Sequence, residues 1–146
     1  MALLRNQDVP FEENFLGGRV TIDPSAPGSD ATAGNVTYTA AQLLLGTFVR
    51  NGGAANRTDV FPTAAQLVAA LAAKYGKAVV GMRFSWMLIN DNPGAFTIAI
   101  TLGTGMTSGL ANGTQVSAAL AQNATKTYHF RVTNVTPAAE AVVVYV

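Results

Sequence analysis

Period-two alternation of apolar and polar residues dominates the second half of the chain. Between Val79 and Ile89, Met82, Phe84, Trp86 and Leu88 fall on one side of an extended segment. Arg83, Ser85, Met87 and Ile89 fall on the other. After the turn formers Asp91-Asn-Pro-Gly94, Phe96, Ile98, Ile100 and Leu102 alternate with Ala95, Thr97, Ala99 and Thr101, which predicts a hairpin of half-buried strands. Gly103 to Gly109 reads as a flexible loop. Three more strands are predicted at Gln115 to Leu120, Thr125 to Thr133 and Glu140 to Val146, separated by Ala-Gln-Asn-Ala and Asn-Val-Thr-Pro turns. The last is apolar on both faces, so it is either central or covered by another subunit, because a bare apolar edge invites aggregation.

The first half is less regular. A strand is predicted at Gly18 to Ile22, and the turn-rich stretch Asp23 to Asp30 reads as a linker. Strand-like residues resume at Asn35 to Thr39. The sequence Thr-Ala-Ala-Gln-Leu occurs at Thr39 and again at Thr63, and in each copy a Thr followed three residues later by Gln fits a capping box at a helix start. The second copy opens a helix over about residues 63 to 75, with Ala64, Leu67, Val68, Leu71 and Tyr75 on one face and Gly76 as a stop. The first is ambiguous, since Leu43 to Val49 soon reads as a buried strand. Short strands with frequent turns predict an all-β fold, an antiparallel β-sandwich or jelly roll with one short covering helix. Residues 1–35 read as an N-terminal arm and linker, with residues 36–146 as the β-sandwich domain.

Composition adds a constraint that the pattern does not. Only 12% of the 146 residues are charged, against about 25% in an average soluble protein. No run reaches the length of a membrane span, and the start lacks the order of a signal peptide, so the chain is expected to be soluble and not exported by the ordinary route. Its surface must be neutral and polar, or partly hidden by neighbouring subunits; the latter predicts an oligomer. Cysteine is absent, which removes disulfides and thiolate chemistry.

The charges are unevenly placed. Residues 1–30 hold Asp8, Glu12, Glu13, Asp23 and Asp30 against Arg5 and Arg19, whereas the remainder is basic. Such a head can lie on the basic body of another subunit, anchored by Phe11 and Phe15, or be a frayed terminus; the sequence fits both equally.

Little else points to chemistry. His129 is the one histidine and shares a strand face with Thr125, Thr127 and Arg131, with no nearby motif to complete a triad or a zinc site. Arg57 and Asp59 are spaced to project to one side of an extended segment and pair there, or to pair across subunits. The glycine-rich loop lacks the lysine of a phosphate loop. Lys74 and Lys77 close the helix, and the scattered arginines make no nucleic-acid face. Asn-X-Thr triplets at Asn35, Asn56, Asn112, Asn123 and Asn134 are what an Asn- and Thr-rich chain places in its turns. No catalytic, cofactor or metal site is predicted, and no membrane partner.

The run Gln42-Leu-Leu-Leu-Gly-Thr-Phe-Val-Arg-Asn-Gly-Gly53, then Arg57 to Gln66, Ala121 to Lys126, Val132 to Thr136 and Glu140 to Tyr145 together resemble a module of structural proteins in tailed phages and large algal viruses. The resemblance covers about residues 39–146; residues 1–38 do not match it. It implies a β-sandwich that forms homotrimers, used as a capsid decoration (cement) protein or as the head of a fibre that binds a receptor or glycan. A single module without shaft repeats suits decoration better. The implied partners are further copies of the chain and the major capsid protein, and the implied location is the virion. Phe11, Phe15, Arg57, Asp59, Val143 and Tyr145 are the candidate interface residues.

Overall fold

The computed structural model describes residues 27–110 and 118–146. The strand predicted at Gly18 to Ile22, the arm with Phe11 and Phe15, and most of the strand predicted at Gln115 to Leu120 lie outside these residues. In chain order the elements are β1 (Gly28–Asp30), α1 (Ala40–Leu43), β2 (Thr47–Arg50), β3 (Arg57–Val60), α2 (Ala64–Tyr75), β4 (Arg83–Asn90), β5 (Ile98–Thr101), β6 (Met106–Ser108), β7 (Thr125–Asn134) and β8 (Ala141–Tyr145). The fold is predominantly β, with two short helices.

Six strands form a mixed sheet in the order β1-β2-β4-β7-β8-β6, and β3 pairs with β5 in a second, two-stranded sheet. The expected antiparallel pattern holds only at β4–β7 and β7–β8; the pairs β1–β2, β2–β4, β6–β8 and β3–β5 are parallel. The hairpin expected from β4 and β5 does not form. After Asp91 the chain leaves the large sheet, and β5 joins β3 instead. Alternation locates a strand's two faces without naming its neighbour, and this is where the prediction failed. Two further boundaries shift. Gly28–Asp30, assigned to the linker, is a strand paired with β2. Within the supposed flexible loop, Met106–Ser108 is an edge strand on β8.

One face of the large sheet is covered. Phe48, Phe84, Trp86, Leu88, Tyr128, Phe130, Val132, Val142 and Val144 point into it and are all nearly or fully buried. Tyr38 and Phe61 reach across from the second layer to meet Trp86, with ring centroids 5.0 Å and 5.7 Å away at steep angles. Phe84 and Phe130 stack at 4.7 Å across β4 and β7. Such aromatic pairs each add about 0.5–1.5 kcal/mol beyond the area they bury.

Both Thr-Ala-Ala-Gln-Leu copies cap helices as their sequences require. Thr39 and Thr63 each accept a bond from the backbone N–H of the Gln three residues on, and each Gln side-chain oxygen accepts one from the cap backbone N–H. The copies then diverge. In the second, Leu67, Val68 and Leu71 continue the buried stripe for three turns, and α2 ends at Gly76 with φ 81°. In the first, Gly46 at φ 81° stops the helix after one turn and sends Thr47–Arg50 into the sheet. Lys74 in the last turn of α2 donates to the Leu44 carbonyl at the end of α1, tying the helices together.

Candidate functional site

The opposite face of the six-stranded sheet has no layer over it among the described residues, and it is the candidate site. Because strand residues alternate sides, the register fixes its map. Across the face run Ser29 on β1, Thr47 and Val49 on β2, Arg83, Ser85, Met87 and Ile89 on β4, Thr125, Thr127, His129 and Arg131 on β7, Val143 and Tyr145 on β8, and Thr107 on β6. Val49, Met87, Ile89, Thr127, Val143 and Tyr145 are half-buried. Of these, Val49, Met87 and Ile89 form an aliphatic patch on β2 and β4; exposed Ser85 and His129 flank it, and Arg83, Arg131 and Val143 lie in the next row along the strands.

Three relationships define the polar part. Ser85 and His129 are cross-strand partners, with Oγ and Nδ1 2.8 Å apart. Arg83 and Arg131 are also direct cross-strand partners, an arrangement that costs stability unless an anion screens it. Arg131 lies over the Tyr145 ring, with 5.9 Å from its guanidinium carbon to the ring centroid. Its Nε is shielded from water and has no acceptor among the described residues. No outward position of the six strands is Asp or Glu. Asp91 follows the end of β4 opposite to Arg83. Among the described residues, the Ser85–His129 pair therefore has no carboxylate on its sheet face to orient the imidazole, as the triad chemistry of a serine nucleophile requires.

Of the predicted interface residues, Val143 and Tyr145 lie on this open face, while Phe11 and Phe15 lie outside the described residues. Arg57 and Asp59 do not pair with each other. Arg57 Nε donates to the Gly52 carbonyl. Asp59 is fully buried: its Oδ1 accepts from the Val36 N–H, and its Oδ2 from the Tyr38 hydroxyl and Arg50 Nε. Arg57 and Asp59 share a side of β3, but Arg50 enters from the other sheet and takes Asp59 instead. Asp59 has no surface left to offer a neighbouring subunit.

Arg50 is itself fully buried. It bonds Asp59, Asp30 and the carbonyls of Thr32, Gly34 and Asn51, pinning residues 30–36 over one end of the sheet. Burial and the neighbouring Asp59 carboxylate push the Tyr38 hydroxyl well above the usual phenol range. At Asp30 burial acts upward but is outweighed by hydrogen bonds from Thr32 and by Arg50, leaving its carboxyl below the ordinary value.

Three of the Asn-X-Thr asparagines make side-chain hydrogen bonds that hold the fold, while Asn112 lies outside the described residues. Asn35 accepts from the Thr58 N–H, Asn56 from the Thr97 N–H and Asn134 from the Thr136 N–H. Asn90, at the end of β4, donates to the Phe96 and Leu120 carbonyls and so binds the large sheet to the small one. Among the described residues no three His, Asp or Glu side chains gather as metal ligands, and no helix is long and apolar enough to cross a membrane. Set against protein-family models, curated proteins and solved structures, the chain matches none.

Proposed function

We propose that the protein is a structural assembly module, a capsid decoration (cement) protein of a virion, and that its open sheet face is where it packs against other subunits. The observation that carries this reading is the chemistry of that face. Its outward positions present an aliphatic patch on β2 and β4 with two arginines and no carboxylate, in a chain whose overall charge is already low. The motifs that resemble virion modules supply the setting: a β-sandwich-type subunit, a homotrimer, and the major capsid protein as the second partner. Apolar contacts at about 25 cal/mol per Å², repeated over a lattice, would then stabilise the shell. Such a role is mechanical and makes no use of catalysis.

The test is the solution mass of the full chain by light scattering, before and after Val143→Lys. Val143 is half-buried on the open face, so lysine there should leave the circular dichroism spectrum intact and lower the mass to that of a monomer. An unchanged mass, or a wild-type chain that stays monomeric at high concentration, overturns the reading. One observation favours a second reading, the head of a fibre binding a host-surface glycan: Ser85, His129 and Tyr145 place hydrogen-bonding groups beside an aromatic ring. A monomer that binds glycans, and loses them on Arg83→Ala, would establish it.

A further inference from the structure

We infer that residues 1–26 of one copy dock on the open sheet face of a neighbouring copy, with Phe11 and Phe15 on the aliphatic patch of Val49, Met87 and Ile89 and Glu12 and Glu13 against Arg83 and Arg131. This rests on the assembly reading above and names the occupant of the face.

Charge is the first argument. Residues 1–26 hold Asp8, Glu12, Glu13 and Asp23 against Arg5 and Arg19, whereas the outward positions of the sheet hold Arg83 and Arg131 and no acid. Those arginines face each other across β4 and β7, a like-charge pair that a carboxylate placed between them turns from a cost into two attractions. An unmade hydrogen bond points the same way: Arg131 Nε is shielded from water and has no acceptor among the described residues, and a buried donor is costly until an acceptor reaches it.

Area and sign then choose between the arm and a second sheet face. Strands about 4.8 Å apart and rising about 3.3 Å per residue give a six-stranded face of about 500 Å², short of the roughly 800 Å² per partner of a stable interface. A face-to-face pair would also bring only positive charges together. An arm adds contact area of its own and the opposite sign. Reach is no obstacle, since the segment leaves β1 at the edge of the sheet and 26 residues can span up to about 85 Å.

The experiment uses the full chain with Phe15→p-benzoylphenylalanine, irradiated in a mixture with unmodified, nitrogen-15-labelled copies and mapped by mass spectrometry; Phe11→p-benzoylphenylalanine is the second position. The expected result is adducts on Met87, Ile89 or Val143 of the labelled copy. Glu12→Gln with Glu13→Gln should lower their yield about fivefold, the weight of one exposed ion pair. Adducts on these residues only within one chain overturn the exchange between copies. Adducts on other surfaces, or none from either position, overturn the docking itself. If Val143→Lys still dissolves the oligomer while no adduct reaches the face, the arm is wrong as occupant and the assembly reading stands.

Discussion

Arg50 Nε and Asp59 Oδ2 lie 3.0 Å apart with neither side chain exposed, joining a strand of the large sheet to one of the small. Their 9-residue separation in sequence conceals that they belong to different layers. A charge in this position is tolerated because every part of it is engaged: the guanidinium has five acceptors and the carboxylate three donors. Such a pair adds little net stability over a hydrophobic one, yet breaking it strands a buried ion.

Asp59→Ala is therefore expected to cost about 3–5 kcal/mol, read as a shift in the urea midpoint. Arg50→Met combined with Asp59→Leu should recover much of that loss. Asp30→Ala removes a longer contact of 3.5 Å to a partly exposed carboxylate and should cost no more than about 1 kcal/mol. Equal losses at Asp30 and Asp59 would contradict the ranking.

Acid stability follows from Asp30. Its folded-state carboxyl lies below the ordinary value of 3.8, so the unfolded chain takes up a proton there first. The contribution is fully present above the unfolded pKa and disappears as pH falls through the folded one. Melting temperature should thus decline below about pH 4, and Asp30→Asn should flatten that decline while changing little at pH 7. A decline of the same steepness in the variant would assign it to other carboxylates.

Two glycines separate crowding from freedom. A Cβ at Gly103 would strike the carbonyls of Phe61 and Pro62, whereas one at Gly34 meets nothing within 4 Å. Gly103→Ala should destabilise by about 1–3 kcal/mol, and Gly34→Ala should be neutral or stabilise by up to about 1 kcal/mol through the unfolded state. Thermal melts of the two variants side by side decide it.

What the sequence revealed, and what it hid, divides along the range of the interactions. Local rules place α2 and its capping box, and the two faces of β4, correctly, because the 3.6- and 2-residue periods are written into adjacent residues. They also put His129 on one strand face with Thr125, Thr127 and Arg131. Partner choice is different. That β4 lies beside β2 and β7, and β5 beside β3, depends on contacts across dozens of residues, for which alternation carries no label. Asp59 was misjudged for that reason, since its partner stands on a strand whose neighbours were unknown. The Ser85–His129 contact was hidden in the same way: both residues were assigned their faces, but only the register of β4 on β7 brings them together.

The position of β7 also bears on how the chain is made. It lies between β4 and β8 in the sheet, yet residues 125–134 emerge from the ribosome well after β2 and β4. Until Tyr128 and Phe130 arrive, Phe84 lacks the ring it stacks on and Trp86 lacks one of its aromatic neighbours. Folding must wait on these distant pairings, a topology associated with slow, millisecond-to-second kinetics. Until β7 is made, the nascent sheet ends in an open β4 edge, which is where a chaperone or a misplaced strand of another copy would bind first.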